Sequence, residues 1–156
     1  MEAITEPRKL ALEISRIITE DEKRWEQAEW TSYWPERINI QEARNSLQAG
    51  SVFHYYSTRN SLQAGSVFHC YSTCCVAGWA AILSAPAGAT LSRYEITSRG
   101  ESGEYVEYVE YLGRDALGLN NDQAAWLFHP YRTREQVLWA LEKIAAGADW
   151  DPGNFR

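Results

Sequence analysis

The chain has 156 residues, 45% of them hydrophobic, with seven Trp and nine Tyr, enough to bury an aromatic-rich core as a single domain, residues 1–156, without disulfide or metal staples. Its net charge of −6, with no stretch of more than two adjacent bases, argues against general nucleic-acid affinity, because an acidic surface repels phosphate backbones. No apolar run approaches the roughly 20 residues that span a bilayer, and the charged N-terminal segment MEAITEPRKLALEI does not read as a signal peptide; a soluble, cytoplasmic protein with reduced cysteines is expected.

Thr5-Glu6-Pro7 has helix-start composition, and Leu10, Ile14, Ile17 and Ile18 recur on one face, which predicts an amphipathic helix from about Glu6 to Thr19. The segment Glu20 to Trp30 continues with Trp25, Ala28 and Trp30 until Pro35 breaks it. A short helix follows at Ile40 to Leu47 and runs into a tandem duplication. Arg44–Thr58 reads RNSLQAGSVFHYYST and Arg59–Thr73 reads RNSLQAGSVFHCYST, differing only at Tyr55 against Cys70. Residues 1–43 carry ten acids and six bases, whereas 44–73 carry no carboxylate and only Arg44 and Arg59.

Within the repeat, SVFHYYST and SVFHCYST are rich in β-branched and aromatic residues on either side of a Gly-bearing spacer, which predicts a hairpin or extended excursion. The competing reading extends the preceding helix through the copied RNSLQA. A fifteen-residue helical insertion would advance the chain by about 22 Å and turn the next face by about 60°, so the excursion is preferred because it returns the chain to its starting point.

Downstream, Ser72 or Thr73 is expected to cap a helix from Cys74 to about Leu83. Its nearly all-apolar composition marks the central buried element, with Gly78 as the point of close approach. Arg93–Gly103 reads as a loop or weak hairpin. Glu104–Leu117 reads as a helix, with Val106, Val109, Leu112 and Leu117 facing the core and Glu104, Glu107 and Glu110 forming a solvated acidic face. It contains a smaller echo, Tyr105-Val106-Glu107 followed by Tyr108-Val109-Glu110. Gly118 is the stop signal. Asn120 or Asn121 caps Asp122–Phe128, and Thr133 with Gln136 forms a capping box for a helix through Ala146, closed by Gly147. Trp150 is expected to pack back. The fold expected from these elements is mainly α, with a small β excursion made by the repeat.

Two clusters could carry chemistry. Cys74 or Cys75, in the first turn of a helix, could be a nucleophile favoured by the helix dipole, with His69, His54 or His129 as base. A metal site would draw on Cys70, Cys74, Cys75 and His69, but no second, well-separated ligand pair accompanies them. The preferred reading makes the cysteines core residues, with no catalytic residue, cofactor or metal. The segment Tyr111–Phe128 has helix–turn–helix lettering, yet its second helix offers only Gln123 among Ala124, Ala125, Trp126, Leu127 and Phe128, which disfavours DNA reading.

Trp25-Glu26-Gln27-x-x-Trp30, the run Cys74-Cys75-Val76-Ala77-Gly78-Trp79-Ala80, Leu117-Gly118-Leu119 and Leu127-Phe128 together resemble a set of small uncharacterised bacterial and phage proteins. The resemblance implies a compact, mainly helical fold and brings no activity. It also implies that the approach His69–Thr73 belongs to the original copy and 44–58 to the inserted one, so that deleting residues 44–58 leaves a protein of equal or greater thermal stability. The function expected is that of a non-enzymatic acidic module binding a protein partner through Phe53, Tyr55, Tyr56, Trp30 and Trp34. A homodimer through the repeat is a related possibility, and a cysteine-dependent enzyme is the alternative.

Overall fold

The computed structural model describes residues 1–20, 38–48, 75–92 and 95–155. Helix α1, Pro7–Glu20, begins on the proline, whose fixed φ and missing N–H suit the first helical position. It buries Leu10, Ala11, Ile14, Ile17 and Ile18, the stripe expected from the sequence. On its outer face Arg16 bridges Glu13 at 2.6 Å and also pairs with Glu20. A two-residue strand β1, Ile38–Asn39, leads into α2, Ile40–Gln48, where the Asn39 side chain accepts the Glu42 amide at 3.1 Å. Helix α2 therefore extends into the first copy of the duplication; the remainder of the repeat, and the hairpin expected from it, lie outside the described residues.

Helix α3, Val76–Ser84, buries every residue from Val76 to Leu83, as a helix packed on all sides must. It lies against α1, α2 and the later helix α4, Val109–Ala116. Its N-cap is Cys75 rather than Ser72 or Thr73. The Gly78 amide donates to Cys75 Sγ at 3.4 Å, so the sulfur takes the place that a hydroxyl usually fills. A close approach to this helix is made by Gly113 of α4, where a Cβ would fall 3.1 Å from Ala77 Cα and 3.2 Å from Ala77 O. At the other end of α3, Arg44 of α2 is fully buried. Its Nε donates to the Ile82 carbonyl at 2.7 Å and its Nη2 to the Ala85 carbonyl. A cation there complements the helix C-terminus and satisfies carbonyls that have no partner within the helix.

The expectation of a mainly α fold is overturned by a four-stranded antiparallel sheet in the order β1-β2-β3-β4, comprising β2 Thr90–Ser92, β3 Glu95–Gly100 and β4 Gly103–Tyr108 beside β1. The protein is a mixed α/β fold. The predicted helix over 104–117 is instead strand β4 followed by α4. Its first residues pair with β3 over six positions, from Gly100 opposite Gly103 to Glu95 opposite Tyr108. Tyr and Val are as well suited to a strand as to a helix, and a neighbouring strand decides between them. Leu91 and Ile96 carry the sheet into the core.

The C-terminal part follows its local signals. Gly118 takes φ +67 after α4. Asn120 and Gln123 form the capping box of α5, Asn121–Leu127, and Thr133 and Gln136 that of α6, Arg134–Ala146. Gly147 closes α6 in the left-handed conformation that glycine adopts without penalty. Helix α6 packs along α1. Trp150 returns to the core beside Trp126, Trp139 and Phe155, with ring centroids 5.5–6.3 Å apart.

Candidate functional site

The cysteine readings meet the structure at Cys75. Its side chain is sealed at the junction of α3 with the core, and burial, which penalises the thiolate, pushes the thiol up to about 12. The amides that would favour the anion do not offset that desolvation. Such a sulfur is a small apolar cap and not a nucleophile at neutral pH. His129 lies on the surface after α5, where its Nδ1 accepts the Tyr131 amide at 3.2 Å and its ring packs on Tyr131. Cys70, Cys74, His54 and His69 lie outside the described residues, as do Phe53, Tyr55, Tyr56, Trp30 and Trp34. Among the described residues no three His, Cys, Asp or Glu side chains gather where a metal could sit, and no helix is long and apolar enough to cross a membrane.

In the helix–turn–helix stretch, Gln123 is buried and internally engaged. Its Nε2 donates to the Trp150 carbonyl at 2.8 Å and its Oε1 accepts the Asn120 amide at 3.1 Å. The one side chain put forward as a base reader is thus a tie between α5 and the C-terminal tail. Two adjoining concavities flank that tie. One of about 430 Å³ lies between the start of α1 and the end of α6, and one of about 600 Å³ lies beside Trp126, Asp122 and Asp151. Both are lined by Gln123, Asp149 and Trp150. At the margin of the first, the Arg8 guanidinium lies over Gly147, where a Cβ would have to displace it.

The feature that stands apart is the strand the sequence reading took for a helix. Along β4 and the first turn of α4, Tyr105, Val106, Tyr108 and Tyr111 are 49%, 55%, 54% and 49% exposed. Val106 and Tyr108, two residues apart, share one face of the strand. The Tyr108 and Tyr111 rings meet edge-to-face at 5.8 Å, and the Arg114 guanidinium lies 5.2 Å from the Tyr111 ring centre. On the opposite face the Tyr105 ring covers Gly100, where a Cβ would sit 3.6 Å from its Cε1. Glu101, Glu104 and Glu110 stand exposed around this patch and Glu107 is half-buried. Scattered exposed apolar residues are ordinary, so what sets this stretch apart is the exposed Tyr108–Tyr111 pair with Val106 on the same strand face and carboxylates nearby. The signal available in the sequence was the tripeptide echo YVEYVE, whose strand-like composition was outweighed there by the spacing of Val106, Val109 and Leu112.

No family model matches this chain, and neither a curated protein nor a solved structure matches it.

Proposed function

We propose that the chain is a non-enzymatic, acidic protein-interaction module that engages a partner through the Val106, Tyr108 and Tyr111 face. The observation that supports this reading most directly is the exposure of these large side chains close together in the chain, with the Tyr108 and Tyr111 rings in edge-to-face contact. Tyrosines are favoured at interfaces because they bury large area at small conformational cost. A cytoplasmic setting belongs to the same proposal and is in keeping with the free thiol of Cys75. The cysteine-enzyme alternative loses Cys75 to burial and gains no supporting observation from the described residues.

The experiment places a photo-crosslinking benzoylphenylalanine at position 108 in one version of the protein and at position 12 in another, inside the host cell. Leu12 is equally exposed, on α1. Discrete adducts at 108, absent at 12 and abolished by Val106→Lys, are expected. Adducts at neither position, or the same adducts at both, would refute the proposal.

A further inference from the structure

We infer that β4 takes up an extended, lysine- and arginine-bearing segment of a partner protein as a fifth strand of the sheet. This rests on the interaction reading above and specifies its mode and the chemistry of the partner. Among the described residues β4 is the last strand of the sheet and pairs only with β3. Alternate backbone N–H and C=O groups of an antiparallel edge point away from its one neighbour, and with five of the six residues of β4 exposed these groups face solvent.

Proteins usually protect such an edge with charged side chains, lysine above all, or with a proline, a bulge or a very short strand. Strand β4 has no lysine or proline and pairs one residue against one over all six positions without a bulge; its charges are Glu104 and Glu107, which repel an acidic strand and admit a basic one. Six residues extend about 20 Å, enough to template a partner strand. At the other edge, β1 has only two residues.

Charge selects the occupant. Glu101, Glu104, Glu107 and Glu110 lie on β4 or within two residues of it, and Glu95 stands opposite Tyr108 in β3, against Arg99 and Arg114. Arg114 is engaged within the chain, donating to Asp115 and Asn121 at 2.8 and 3.0 Å, and Arg99 stands opposite Glu104 in the ladder. A second copy of the chain would set the same carboxylates one strand spacing away, about 5 Å, where like charges repel. A segment that alternates basic with β-branched residues instead sets its basic side chains on the face of Glu107 and its apolar side chains on the opposite face, beside Val106 and Tyr108, with the charge of Glu104 at the strand's start favouring a basic partner as well. Strand addition of this kind draws affinity from the main chain and specificity from alternate side chains.

The test uses the intact protein and two capped peptides, acetyl-Thr-Lys-Val-Lys-Val-Thr-amide and the same sequence with Glu for Lys, followed by NMR with amide hydrogen exchange. The lysine peptide is expected to slow exchange in 103–108 at least tenfold, to leave β1 unchanged and to bind more weakly as salt rises. The Glu104→Lys/Glu107→Lys protein is expected to reverse the preference toward the glutamate peptide. Absence of binding at millimolar peptide, equal binding of both peptides, or binding that leaves β4 exchange unchanged would each overturn strand addition, as would concentration-dependent self-association that protects β4 without peptide. A crosslink at position 108 together with unprotected β4 amides would remove this inference while leaving the interaction reading standing.

Discussion

Helix α3 and strand β4 are opposites within one small fold. From Val76 to Leu83 every residue is buried, whereas along β4 five of six are exposed. Helix α3 has neighbours on every side, including a backbone approach from Gly113 and a buried guanidinium at its C-terminus. Among the described residues strand β4 pairs with β3 alone and is the last strand of the sheet. The first therefore sets the stability of the molecule and tolerates little change. The second is held mainly through its ladder with β3, which leaves its side chains available for contact with another molecule.

This contrast is most severely tested at Trp79, fully buried in α3. Trp79→Ala is expected to cost about 3–5 kcal/mol, the usual range for an aromatic-to-alanine change in a packed core, whereas Val106→Thr on β4 is expected to stay within about 0.5 kcal/mol. Urea denaturation of both variants measures the gap, and equal losses would break the comparison.

Gly113→Ala sharpens the same point through its sign. In an exposed helix interior the change would stabilise by about 1 kcal/mol, but here the new methyl meets Ala77 backbone atoms at 3.1 and 3.2 Å and a loss of about 1–3 kcal/mol is expected. Because those atoms are backbone, Ala77→Gly should not restore the loss. A stabilised Gly113→Ala variant would show that α3 and α4 are less tightly joined than described.

The smallest effect is expected from removal of residues 44–58. The deletion joins Ala43 to Arg59-Asn60-Ser61-Leu62-Gln63, which repeats Arg44-Asn45-Ser46-Leu47-Gln48, so α2 is rebuilt with identical residues and Arg59 inherits the carbonyls of Ile82 and Ala85. The shorter connection to α3 favours closure by under about 1 kcal/mol, and a melting temperature equal to or above that of the full chain is expected. In the shortened chain Arg59→Ala should cost as much as Arg44→Ala does in the full one. A clear drop in melting temperature on deletion would instead make the first copy integral to the fold.

Much of the fold was legible where a signal and its effect lie within a turn or two of each other. The stripe of Leu10, Ile14, Ile17 and Ile18, the capping boxes at Asn120 and Thr133, the stop at Gly147 and the buried run after Cys75 all act through neighbours in the chain. The proposed interaction surface was less legible. The residues expected to form it, Phe53, Tyr55, Tyr56, Trp30 and Trp34, lie outside the described residues, and the exposed set on β4 was hidden inside a pattern that fits a helix nearly as well as a strand. Val106 shows the cause: its spacing from Val109 and Leu112 satisfies a helical stripe, but once β3 pairs with Tyr105–Tyr108 its side chain points away from the core.

Composition and local spacing by themselves determined that α1, α3, α5 and α6 form, which faces they bury and where the last three stop, because caps, stripes and left-handed glycines exert their energies over a few residues. Only the tertiary structure decided that Tyr105–Tyr108 is a strand, that Cys75 is a sealed cap, and that Arg44 reaches carbonyls 38 and 41 residues away. Each of those outcomes turns on a partner distant in sequence, whose contribution exists only once the chain has brought the two together.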